Sequence, residues 1–192
     1  NGSRIYESLW MDTSAQIYDP VMALPTGFAI TAVDPSGLPL DGELKLSWTD
    51  SSSTPISGEM KAVVEQKVGV NLWNVIATLD ASASQSNDYS VSGLNNGELY
   101  EFQVKNTINN GSQQAESEYV QASGTPFTYP GPVQNLVLDA SGETNKLYYS
   151  FDAPDVSGGS AVSDYRFVLN NLNDGSSNLV SDLSGITDLS GE

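Results

Sequence analysis

A motif that returns after roughly 100 residues constrains this chain more than any other feature. Leu44-Lys45-Leu46-Ser47-Trp48 is answered by Leu147-Tyr148-Tyr149-Ser150-Phe151. Leu94-Asn95-Asn96-Gly97-Glu98-Leu99-Tyr100 is answered by its opening alone, Leu189-Ser190-Gly191-Glu192, where the sequence stops. The spacing from Tyr119 to Pro126 recurs between Tyr18 and Pro25. A unit of this length, repeated, predicts a tandem β array, and therefore a module or scaffold before an enzyme.

The strands are legible from period-two alternation, which puts every second side chain on one face. Phe28, Ile30 and Ala32 alternate, then Leu44, Leu46 and Trp48, then Met60, Ala62 and Val64. Leu72 to Leu79 reads as a further strand, closed by a polar loop from Asp80 to Asp88. Tyr89, Val91 and Leu94 follow, and Tyr100, Phe102 and Val104 form the cleanest alternation. Asn109-Asn110-Gly111-Ser112 is a hairpin turn, because Asn-Gly supplies the positive φ such turns need. Beyond it Tyr119 to Ala122 is the last strand before Pro126, and Thr125 to Pro132 is a short, semi-rigid Pro-rich linker. In the second copy, Leu136 and Leu138 are expected to point inward, followed by Leu147, Tyr149 and Phe151, then Tyr165, Phe167 and Leu169.

Composition excludes several chemistries. The 192 residues contain no Cys and no His, so thiolate nucleophiles, His-based triads, disulfides and ordinary zinc sites are impossible. Twenty-four acids against seven bases give a net charge of −17, spread along the chain without a tail of like charge. With no cationic stripe to release counterions, nucleic acid is excluded as a partner. No apolar run is long enough for a membrane span, so no membrane insertion is expected.

Four features resemble tandem fibronectin type III domains. They are a second strand ending in Trp48, the Leu94-to-Tyr100 spacing, the Tyr100-x-Phe102-x-Val104 strand with its Gly-Ser turn, and the run from Gly158 to Phe167. The linker Pro130-Gly131-Pro132-Val133-Gln134-Asn135-Leu136 is similar to the opening of such a domain. Phe151 stands where the family usually has Trp, and Asn106 and Ile108 depart from the residues common after the sixth strand. The resemblance implies an all-β chain of seven-stranded antiparallel sandwiches. Residues 1–24 are then a linker or the tail of a preceding β-domain, 25–126 a full domain, 127–131 the linker, and 132–192 a domain truncated after strands A to E. It also implies a structural corner in which Leu94 flanks Tyr100, the Tyr100 hydroxyl donates to nearby backbone, and Trp48 fills the core.

Candidate sites are few. The Asn109, Asn110, Gly111 and Ser112 turn is the loop such domains use for contacts, and Asn110 opens a glycosylation triplet, as does Asn1. A plain tight turn explains the same residues. Asp80 with Asp88, or Glu116 with Glu118, are the nominal carboxylate pairs, but no spacing fixes either at catalytic separation. The loop Asn171-Leu172-Asn173-Asp174-Gly175 has Leu where a calcium loop needs oxygen, so no metal and no cofactor is expected. Trp73 is expected in a core or interdomain contact, and Trp10 lies in an apolar patch without family pattern. The expected function is a non-catalytic spacer and protein-interaction array of a larger surface, secreted or virion-associated protein. Its partners are other protein chains or neighbouring domains. Two alternatives remain: an accessory module of a secreted polysaccharide-degrading enzyme, and a receptor-type ligand-binding ectodomain.

Overall fold

In a computed structural model, described for residues 21–140, 147–170, 177–184 and 190–191, every regular element is a β-strand. The first group runs β1 (Thr26–Thr31), β2 (Leu44–Thr49), β3 (Glu59–Gly69), β4 (Leu72–Ala81), β5 (Ser86–Val91), β6 (Tyr100–Asn109), β7 (Gln114–Glu116) and β8 (Val120–Gly124). All pairings are antiparallel, in two sheets. One has the order β1-β2-β5, the other β4-β3-β6, with β7 and then β8 on the far side of β6.

The alternation explains why the sheets face each other. Leu44, Leu46 and Trp48 of β2 meet Ala62 and Val64 of β3 and Phe102 and Val104 of β6 in one buried cluster. Their neighbours Lys45, Ser47 and Thr49 lie on the opposite face. Each fully buried Leu, Val or Phe contributes about 1.5–3 kcal/mol through apolar burial. Because a one-residue slip would turn every one of these side chains outward, the alternation also fixes the register. The polar stretch expected to open at Asp80 is shorter than the sequence suggested. Asp80 and Ala81 still pair with Lys61 and Met60 at the end of β4, and pairing resumes at Ser86.

Packing begins before Pro25. Met22 is 3% exposed and joins Met60, Ile108 and Ala115 in a second cluster, while the Ala23 N–H donates to Ser53 Oγ at 2.7 Å. The expected assignments for residues 1–20, including Trp10 and the Asn1 triplet, lie outside the described residues.

The second copy of the motif builds β9 (Gln134–Asp139), β10 (Tyr148–Asp152), β11 (Asp164–Asn170), β12 (Ser177–Ser184) and β13 (Ser190–Gly191). Their sheets are β13-β10-β9 and β11-β12. Tyr149 and Phe151 are buried against Tyr165 and Phe167, with the Tyr149 and Phe167 rings stacked at 4.6 Å. Leu136 and Leu138, expected inside, are instead about half exposed. Among the described residues the apolar cover from β11 reaches the aromatic pair of β10 and not Leu136 or Leu138 of the edge strand.

A polar ladder crosses the outer side of the sheet that contains β3 and β6. Tyr119 Oη donates to Glu65 Oε1 at 2.8 Å, Gln103 Nε2 to Glu65 Oε2 at 2.5 Å, and Gln121 Nε2 to Gln103 Oε1 at 2.9 Å. Lys105 Nζ lies 4.8 Å from the centre of the Tyr119 ring and pairs with Glu116 at 2.6 Å. Burial and the bond to Glu65 raise the Tyr119 hydroxyl above its ordinary pKa, against the Lys105 charge. For Lys105, burial works downward, but Glu116 and Tyr119 together carry the net shift upward. Both groups are therefore held in their protonated forms by the fold. The stability they contribute is complete below their unfolded pKa values near 10 and is lost as pH rises through the higher folded values. Urea unfolding midpoints should fall above about pH 10, and Tyr119→Phe should reduce that alkaline loss. An unchanged slope in the variant would show that the ladder is not linked to titration.

Candidate functional site: the loop pole and the junction pole

Three loops far apart in sequence meet at the end of the sandwich where β2 and β6 finish. The Asp50 N–H donates to Gln85 O, and the Ser84 N–H to Ser51 O. Gly58 lies so close to the turn after β6 that a Cβ there would stand 2.5 Å from Asn109 O, which only glycine permits.

Beneath these loops Asp50 is buried, 2% exposed, and pairs with no lysine or arginine among the described residues. Four donors replace its water. Trp48 Nε1 and Asn106 Nδ2 each donate to Oδ1 at 2.9 Å, while Asn87 Nδ2 at 2.6 Å and the Ser82 N–H at 3.3 Å donate to Oδ2. Asn106 is itself buried, and its Oδ1 accepts the Ser51 N–H at 2.8 Å. Its backbone N–H donates to Ser117 Oγ at 3.0 Å. One carboxylate thus ties β2, the β4–β5 connection, β5 and β6 together. A buried charge survives only when its hydrogen-bonding capacity is met in this way.

The sequence reading placed Asn106 only as a departure from family pattern and did not mark Asp50. The signal it missed lies in the three loops. Ser51 to Gly58, Ser82 to Asn87 and Asn109 to Gln114 carry no charged residue in a chain of net charge −17. The pole therefore presents hydroxyl and amide groups, suited to contacts made by hydrogen bonds.

Asn109, Asn110, Gly111 and Ser112 form the exposed turn between β6 and β7. Trp48 is buried edge-on to Phe28, with ring centres 6.4 Å apart. Trp73 is half-buried on β4, with Lys67 Nζ 5.9 Å from its ring centre. Asp80 pairs with Lys61 at 2.6 Å, Asp88 with Lys45 at 3.1 Å and Glu116 with Lys105. Asp80, Asp88 and Glu116 are thus each held by a lysine, while Glu116 and Glu118 both line a groove against Val21 to Leu24. Lys61 is pushed up to about 12, chiefly by its bond to Asp80, whose own carboxyl is lowered by the same bond. The acidic loop at Asn171 to Gly175 lies outside the described residues.

The opposite pole carries the corner. Tyr100 is half-buried, and its hydroxyl accepts the Asn95 N–H at 3.0 Å while donating to Glu98 Oε2 at 3.0 Å. Its backbone partner is thus a donor rather than the acceptor expected, because the Asn95 N–H points at the hydroxyl. Leu94 lies partly buried against the core, and its N–H donates to Gly42 O at 2.9 Å.

At the same pole the second copy of the motif arrives. The Gly97 N–H donates to Pro126 O at 2.9 Å, the Thr128 N–H to Gly158 O at 2.8 Å and the Gly131 N–H to Val156 O at 2.9 Å. Gly97 and Gly159 touch backbone to backbone: a Cβ on Gly159 would stand 2.9 Å from Gly97 N, and one on Gly97 would collide with Gly159 O. Gly158 likewise has no room for a side chain against Thr128 O. All three have positive φ, 85°, 81° and 112° for Gly97, Gly158 and Gly159. Beside this junction Val70, Leu99, Lys67 and Glu101 line a shallow recess.

Among the described residues no three His, Cys, Asp or Glu side chains gather as a metal site, and no helix is long and apolar enough to cross a membrane. No protein-family model and no curated protein matches this sequence.

Asp50→Ala leaves four donors without an acceptor and should cost on the order of 3 kcal/mol in chemical denaturation. Asp88→Ala, which removes a surface ion pair, should change stability by about 0.5 kcal/mol or less. Equal effects would remove the network's special role. At the other pole, Tyr100→Phe leaves the Asn95 N–H without its protein acceptor and should cost about 0.5–1.5 kcal/mol by the same measurement.

Proposed function

We propose that this chain is a non-catalytic spacer and protein-interaction array of fibronectin type III-like sandwiches, belonging to a larger surface, secreted or virion-associated protein. The observation that carries the reading is the junction. Most linked domains reorient freely unless a substantial interface joins them. Here three glycines in left-handed backbone let the corner turn and the loop after β10 approach without side chains between them. Two linker N–H groups close onto the same loop. Such a junction fixes one unit's direction relative to the next, as a spacer requires. The sheet orders of the first group, three strands against four with the last divided, support the sandwich type.

The receptor-type alternative draws on the recess beside the junction, where Val70 is 92% exposed and Leu99 69%. Large apolar side chains so exposed next to an elbow offer a contact for a protein ligand.

Gly97→Val tests the spacer reading. The branched side chain cannot occupy the contact with Gly159, so the elbow should open while both sets of strands stay folded. Small-angle X-ray scattering of the full chain should show a changed envelope, with far-ultraviolet circular dichroism unchanged. An unchanged envelope would refute a role for the junction in setting geometry.

A further inference from the structure

We infer that Asn110 is a self-modifying position, whose side-chain amide is converted to a carboxylate by attack of the Gly111 nitrogen, while the chemically equivalent pair Asn96-Gly97 is protected by the fold. An Asn-Gly step is the natural substrate for this reaction, since glycine places no side chain in the path of the cyclisation. The two described pairs differ only in what surrounds them.

At the loop pole, Asn110 Oδ1 accepts two backbone N–H groups, from Ser112 at 3.0 Å and Gln113 at 2.8 Å. Those donors point at the oxygen on which negative charge develops when Cγ is attacked, the arrangement of an oxyanion hole. The Gly111 N–H donates to Asn109 Oδ1 at 2.6 Å, so its proton already lies against an acceptor. Asn110 Nδ2, the leaving group, meets no acceptor among the described residues, and the residue is exposed. The turn thus combines a polarised electrophile with a leaving group that nothing among the described residues ties down.

At the junction pole the leaving group is tied and the backbone is packed. Asn96 Nδ2 is tied to Asp41 Oδ1 at 2.7 Å, and Asn96 Oδ1 has one donor, the Gly42 N–H at 3.1 Å. The Gly97 N–H is committed to Pro126 O, and the backbone around it is pressed against Gly159. Cyclisation there would have to break the junction first.

The steps balance without a cofactor. The Gly111 nitrogen bonds to Asn110 Cγ, and the Cγ–Nδ2 bond breaks. Ammonia leaves with Nδ2 and the proton from the Gly111 nitrogen. Water then opens the cyclic imide at either carbonyl, giving aspartate or its β-linked isomer. Either product puts a carboxylate into a loop that carries no charged residue, and the isomer lengthens the backbone of the turn. The same Nδ2 is the atom a glycan on Asn110 would occupy, so glycosylation and conversion exclude each other.

The test follows both Asn-Gly pairs in the full chain by peptide mass mapping and isoaspartate assay, at mildly alkaline pH, with and without urea. In urea the two should convert at similar rates. In the folded chain Asn110 should convert at least as fast as in urea, while Asn96 should slow by about tenfold or more, because it must await local opening. Asn110→Gln should abolish the new charge that develops in the folded chain. Slower reaction of Asn110 in the folded chain than in urea overturns the proposal. So does folded Asn96 keeping pace with Asn110, or undiminished charge gain in the Asn110→Gln chain.

Discussion

A single buried carboxylate organises one end of this protein. Asp50 has left water without a cation among the described residues, a position tenable only while Trp48, Asn106, Asn87 and the Ser82 N–H all donate to it. That requirement is directional, unlike apolar burial. It fixes the rotation of the Trp48 indole in the core and the approach of the β4–β5 connection. Through Asn106 it also fixes the start of the loop after β2. The apolar cluster holds the two sheets together, and the Asp50 network decides how their loops are arranged above it.

The two poles solve different problems. At the loop pole, polar side chains hold three loops firmly beneath an uncharged surface of hydroxyls and amides. At the junction pole, side chains are removed where the segments touch: Gly97, Gly158 and Gly159 let backbone meet backbone, and main-chain hydrogen bonds join the corner, the linker and the loop after β10. Side-chain networks suit loops that must present a face, whereas glycine contacts suit segments that must sit close. Both are sensitive to one substitution, because a missing acceptor and an added Cβ are each intolerable in a packed setting.

The charge distribution fits this division. The lysines of the first sandwich lie against carboxylates on strand faces, as Lys45 with Asp88, Lys61 with Glu59 and Asp80, Lys67 with Glu101, and Lys105 with Glu116. The surplus of acid surrounds the molecule and keeps like surfaces apart. The three loops of the loop pole carry no charged residue above the buried Asp50.

The sequence by itself determined the strands and their inward faces. Leu44, Leu46 and Trp48, or Phe102 and Val104, alternate at the period of an extended chain, and that period is a local property readable without knowing any neighbour. It also determined the hairpin at Asn110-Gly111, since positive φ is a property of those residues. The tertiary structure alone decided the rest. Asp50, Asn87 and Asn106 are unremarkable polar residues in sequence, separated by long loops, and become one network only when two sheets bring them within hydrogen-bond distance. Gly97 and Gly159 carry no mark of their contact, because close approach is a relation between distant backbones. Leu136 and Leu138 alternate as core residues do, yet stand half exposed, since burial depends on what covers a face and alternation specifies only which face it is.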